Sequence, residues 1–190
     1  MEALITLFEN LIAEYGVLWL IGQGFGIIAI VLGFVSYQVK TKRSLLFMQG
    51  AVAFTFLIHY FLIGAYSGMA MNALNIVRNI VYDARTKKGI TSKWIPLAFV
   101  AVQAVMCLFT WDGWYSIFIL VGICINTYCM SLPNPQTVRK SILITSPMVL
   151  VYDIFARSIG GTVYESVALL SAVIGILRNR KRDGKRTAAH

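Results

Sequence analysis

The sequence predicts an all-α, polytopic membrane protein, with seven transmembrane helices arranged as two parallel three-helix repeats joined by a linker helix (3+1+3). Three observations predict it. The chain is 58% hydrophobic and 13% charged, whereas a soluble domain carries roughly 45–50% apolar and about 25% charged residues. Fifteen of its seventeen Lys and Arg residues fall into four clusters: Lys40–Arg43, Arg85–Lys93, Arg139–Lys140 and Arg178–Arg186. The apolar stretches between them can cross a bilayer out and back, so all four clusters share one face, which the positive-inside rule makes cytoplasmic. Finally, a shift of 93 residues sets Gly68 on Gly161, Arg85 on Arg178 and Lys88 on Lys181.

Met1–Gly16 lacks the basic start of a signal peptide and carries Glu2, Glu9 and Glu14. Leu4, Phe8, Leu11, Ile12 and Tyr15 recur at helical spacing against these acids. That pattern predicts an amphipathic helix (residues 1–16) lying in the outer interface.

A helix needs about 20 mostly apolar residues to cross the hydrocarbon core. The first repeat (17–88) holds Val17–Val39, Leu45–Gly64 and Met69–Ala84. In its first span Gly22, Gly24, Gly26, Ala29 and Gly33 form a small-residue ridge for close helix contact. Trp94–Thr110 is the linker span within 89–112. Its single crossing lets both repeats run in the same direction. The second repeat (113–180) holds Tyr115–Leu132, Ser141–Arg157 and Val163–Leu177, and 181–190 is a basic cytoplasmic tail. Glycine turns at Ala65–Gly68 and Ser158–Thr162, and the aromatic-flanked turn Trp111–Trp114, lie on the outer side. With an odd number of spans, the N-terminus is outside and the C-terminus cytoplasmic.

Composition also excludes. The +9 charge abuts hydrophobic ends instead of forming a face interleaved with aromatics, so it signals topology and anionic headgroups and not nucleic acid. Cys107, Cys124 and Cys129 lie inside apolar spans, which argues against disulfides and metal. There is no paired carboxylate, no Ser/His/Asp set and no ligand cluster, so no enzyme is expected and no cofactor. Gly22-x-Gly24-x-Gly26 lacks the strand and acidic partner of a dinucleotide site.

The third span is the most informative. Asn72, Asn75, Asn79 and Asp83 share one helix face, with Arg78 beside it. At about 1.5 Å per residue the stripe runs roughly 16 Å. A central Arg costs roughly 2.5–3.5 kcal/mol on insertion scales, so this face turns into the bundle or a wet cavity. As the lining of a solute path, the amides offer donors and acceptors, and Arg78 could hold a carboxylate or phosphate. The alternative is that the stripe is interhelical glue. His59, within the second span, could bind solute, shuttle protons or simply pack. Asp153 and Arg157 stand at i, i+4 and suggest a neutralising ion pair or a gate. Glu165 suggests a cap on the seventh helix or an outer gate near Arg157. The seventh span offers only Ser166 and Ser171 where its repeat mate carries asparagines, so the first repeat dominates any site.

The junction after the first helix of each repeat carries a matching motif: Tyr37-Gln38-Val39-Lys40-Thr41-Lys42-Arg43-Ser44-Leu45-Leu46 and Pro135-Gln136-Thr137-Val138-Arg139-Lys140-Ser141-Ile142-Leu143. It resembles the PQ-loop of the SWEET and SemiSWEET sugar transporters, with Tyr37 in place of the motif's proline. Gln23-x-x-Gly26, Ser36-Tyr37-Gln38, His59, Gly64-Ala65 and Asn72–Asn79 look like the YgjV-like family of bacterial inner-membrane proteins. The resemblance implies bacterial inner-membrane localisation and makes Gln38 a candidate solute-binding residue. It also implies sugar-type contacts for Asn75 or Asn79. Analogy with parallel-repeat carriers adds self-association into a homo-oligomer. The expectation is a transporter or facilitator of a small polar or anionic solute, working by alternating access between the repeats. Its rival is a membrane scaffold or regulatory protein.

Overall fold

In the computed structural model the described residues are 10, 12–39, 41–90, 92–133, 135–170 and 173, without the side chains of 37, 38, 135, 136, 138 and 139. All their regular structure is helical. Most of the expected Met1–Gly16 helix, the end of the seventh span and the 181–190 tail lie outside them. Residues 12–15 are helical and break at Gly16, whose φ of +84° favours glycine. Then follow α1 (Val17–Gln38), α2 (Lys42–Leu62), α3 (Tyr66–Lys87), α4 (Trp94–Phe109), α5 (Ser116–Ser131), α6 (Pro135–Phe155) and α7 (Ile159–Leu170).

Two of these, Val17–Ser36 and Lys42–Leu62, are long and apolar enough to cross a membrane, yet only 33% and 44% of their apolar windows are buried within the protein. Much of the remainder is bare hydrocarbon: Leu18, Ile27, Phe47 and Phe54 are all more than half exposed. Leu108 and Phe109 on α4 are exposed too. An apolar surface of this extent suits lipid, not water.

Several helices begin before their apolar run does, because polar groups cap them. Thr41 Oγ1 accepts from Ser44 N at 3.1 Å and starts α2 three residues before Leu45. Asp112, from the α4–α5 turn, accepts from Tyr66 N at 3.2 Å and Ser67 N at 2.9 Å, so α3 starts before Met69. Pro135 occupies the first position of α6, where a missing N–H costs nothing. α7 begins at Ile159, four residues before Val163. Ser158 Oγ accepts from Gly161 N and Gln23 Oε1 from Gly160 N, both at 3.0 Å, which holds two glycines in helix.

α2 packs between α1 and α3, α5 between α4 and α6, and α3 also meets α4 and α5. The main core takes Ala29, Phe56, Met71, Ile119, Tyr152 and Tyr164 from six helices. The α1 ridge works as expected except at one position. A Cβ on Gly22 would press on Ile63, one on Gly26 would strike the backbone of Gly160, and Gly33 leaves room for the Tyr164 ring. Gly24 faces open space.

Candidate functional site

α3 carries its polar residues in a curved stripe, and the helix turns that stripe past two different neighbours. Asn72, Asn75 and Arg78 line a cavity of about 100 Å³ at the centre of the bundle. Asn79 and Asp83 instead line a lateral groove beside α2. There Asp83 pairs with Arg43 at 3.3 Å and with Lys87 at 2.7 Å. Asn72 donates to Gly68 O at 2.9 Å, and Asn75 Oδ1 accepts from Gln103 on α4 at 3.4 Å.

Arg78 is 2% exposed. Its Nε and Nη2 donate to Asn79 Oδ1 at 3.1 and 3.0 Å, and its Nη1 to Thr127 Oγ1 at 2.8 Å and Asn126 Oδ1 at 3.3 Å. Every acceptor is neutral. One of the guanidinium's two-pronged edges, Nε–Nη2, is therefore held by Asn79. Among the described residues no carboxylate forms an ion pair with Arg78.

The other wall of the cavity comes from α5, α6 and α7. It includes Asn126, Thr145, Ser146 and Glu165. Glu165 lies well inside α7, which has already begun at Ile159, so it does not cap the helix, and it forms no ion pair with Arg157. It hydrogen-bonds Ser146. The shift of 93 residues recurs here: Gln49, Val52, Ala53 and Phe56 line one side, and Ile142, Thr145, Ser146 and Val149 the other. Asn72 and Glu165 are related by the same shift.

Toward the Asp112 end, a buried polar network ties the helices together. His59 is fully buried away from the cavity, with Nδ1 2.7 Å from Gly22 O and Nε2 2.7 Å from Ser158 Oγ. Tyr60 donates to Asp153 Oδ1 at 2.5 Å. Tyr152 Oη accepts from Gly68 N and donates to Asp112 Oδ2, both at 2.8 Å. Ser67 Oγ hydrogen-bonds Thr110 O in the same corner. The expected Asp153–Arg157 pair does not form. α6 ends at Phe155, and Arg157 turns with φ +54°, so the i, i+4 register is lost. Asp153 instead bonds Tyr60 and Ser158. The Arg157 guanidinium stacks 5.5 Å over the Tyr15 ring, and its carbonyl accepts from Gln23 Nε2 at 3.2 Å.

Toward the opposite end, which carries Arg85, α2 and α3 are tied to α5. Lys42 Nζ donates to Met130 O at 2.6 Å and Leu132 O at 2.9 Å, using carbonyls at the α5 C-terminus that have no helical partner. Tyr82 Oη donates to Thr127 O at 3.1 Å. The side chain of Gln38 lies outside the described residues.

Of the expected stripe of Asn72, Asn75, Asn79 and Asp83 with Arg78 beside it, only Asn72, Asn75 and Arg78 line the cavity, and sequence reasoning missed the opposite wall and both polar networks. Gln23, Tyr60, Gln103, Asn126, Thr127 and Tyr152 bond residues far along the chain, which spacing on one helix cannot reveal. One signal was present: the shift of 93 residues maps Asn72 onto Glu165 and Tyr60 onto Asp153.

Residues 20–183 match the model of Imp-YgjV, described as a bacterial inner membrane protein. Inner membrane protein YgjV of Escherichia coli (strain K12) is 24% identical over 160 residues, covering 84% of this chain and 84% of that protein. No solved structure matches.

Proposed function

The chain belongs to the Imp-YgjV family of bacterial inner membrane proteins, and from that premise we propose that it is a carrier of a small polar solute, working by alternating access. In this reading all seven helices span the bilayer as two parallel three-helix repeats around α4, in the manner of PQ-loop carriers. The Asp112 end faces outward and the Arg85 end faces the cytoplasm.

The observation that carries the proposal is the cavity between the two halves. Residues related by the 93-residue shift line its two sides, and parallel-repeat transporters hold their solute at such an interface near the midplane. The Tyr60–Asp153 and His59–Ser158 contacts cross between the halves on the outer side, and the Arg78, Tyr82 and Lys42 contacts do so on the inner side. Opening one set while the other holds would expose the cavity to one compartment at a time. Asn75 and Arg78 are the first-repeat residues expected to touch solute.

A thermal-shift screen of the purified protein against a metabolite panel tests this directly. A ligand present at a hundred times its dissociation constant stabilises by about 2.7 kcal/mol. Once a ligand is found, Asn75→Ala should abolish its uptake into proteoliposomes without unfolding the protein. Normal uptake by that variant would end the proposal.

The scaffold reading keeps one observation in its favour: Asn72 and Asn79 already spend hydrogen bonds on Gly68 O and Arg78. It predicts loss of stability from Asn75→Ala and no ligand-dependent shift for any metabolite.

A further inference from the structure

A guanidinium and a carboxyl group line the central cavity from opposite walls and form no ion pair with each other. Arg78 reaches it from α3, bonded only to neutral oxygens of Asn79, Asn126 and Thr127. Glu165 reaches it from α7, bonded to the Ser146 hydroxyl. The ion pairs among the described residues all involve Asp83, and none joins Arg78 or Glu165 to an opposite charge. A buried charge is costly unless paired. Here a guanidinium and a carboxyl group, neither of them ion-paired, share one space, on walls contributed by different halves of the chain.

We propose that the cavity binds a compact zwitterion, its carboxylate toward Arg78 and its ammonium toward Glu165. Such a molecule would supply both missing counter-charges at once and bridge the two halves. A simple anion or cation would supply one and leave the other bare. Size is compatible with this class. The cavity is about 100 Å³, where one water needs roughly 10–15 Å³ by the same measure, which leaves room for a molecule the size of the smallest amino acids. Asn72 and Asn75 on one side and Thr145 on the other remain to orient it.

The inference rests on the cavity being a solute site, as proposed above, but not on alternating access. Its test is calorimetric titration of the full-length protein in lipid nanodiscs with alanine, propionate and isopropylamine, which share a carbon skeleton and differ in charge. Alanine should bind at least about tenfold more tightly than either singly charged probe, since a hydrogen bond to a charged group contributes roughly one such factor or more. The isosteric Glu165→Gln variant should lose alanine's margin over propionate while binding propionate as before. The Arg78→Gln variant should lose its margin over isopropylamine. Propionate binding the native protein as tightly as alanine would overturn the inference, as would no binding by any probe. So would an unchanged alanine-to-propionate ratio in folded Glu165→Gln. Alanine binding without flux across proteoliposomes would sink the carrier and leave the zwitterion site standing. Sugar uptake by a protein that ignores alanine would do the reverse.

Discussion

Tyr60 and Asp153 meet at 2.5 Å in a place where neither has access to water. Asp153 Oδ2 has no hydrogen-bond partner, so the phenol is one of few groups that stabilise this carboxyl. Tyr60→Phe should therefore lower stability by about 1–3 kcal/mol, the usual cost of leaving a buried polar group unsatisfied, measurable by thermal or denaturant melting in detergent. His59 has the same structural character: both ring nitrogens are committed, to Gly22 and Ser158. At this scale the sequence was partly readable. Asn72, Asn75 and Arg78 could be placed together because helical spacing is local information. Asp153 could not be paired correctly, because i, i+4 spacing predicts contact only where the helix continues. Here it stops at Phe155, and the true partner lies 93 residues earlier.

Helix α1 shows how much of an element its sequence pattern determines. Its extent was legible to within a residue, and its glycine ridge announced close packing, yet only contacts distinguish the glycines from one another. A methyl at Gly26 would lie 2.7 Å from the Gly160 Cα, an atom that cannot swing aside, whereas Gly24 has nothing within 4 Å. Gly26→Ala should cost about 1–3 kcal/mol through overpacking. Gly24→Ala should be neutral, or stabilising by up to about 1 kcal/mol through helix propensity. Paired melting curves would check both. Helix starts were less legible, because the caps come from elsewhere in the chain: Asp112 for α3, Gln23 for α7. Pro147 inside α6 adjoins the cavity residues Thr145 and Ser146 and removes one helical hydrogen bond. If α6 bends there during transport, Pro147→Ala should slow solute flux severalfold while leaving solute affinity unchanged, as read from flux and titration together.

Taken as a whole, the described residues have an all-helical build that composition and charge spacing made plain, while the inner-membrane address was legible through the resemblance to the YgjV-like family. The molecule's orientation and the crossing of all seven helices are open to direct measurement. After replacement of Cys107, Cys124 and Cys129, a cysteine at Trp111, an exposed position, should react with a membrane-impermeant maleimide on intact cells. One at exposed Lys88 should react only after permeabilisation. The reverse pattern would invert the topology. What composition could not supply was the second wall of the cavity. Glu165 looked like a helix cap until α7 proved to start six residues before it.

The Asp112 carboxylate has a practical consequence for anyone wishing to decorate the protein. By gripping the first amides of α3 and the Tyr152 hydroxyl, it makes the short 110–115 connector a strap, not slack. An epitope or fluorophore peptide spliced there would wrench three helices apart. The 88–90 bend, where nothing crowds Gly89, is the place to put it.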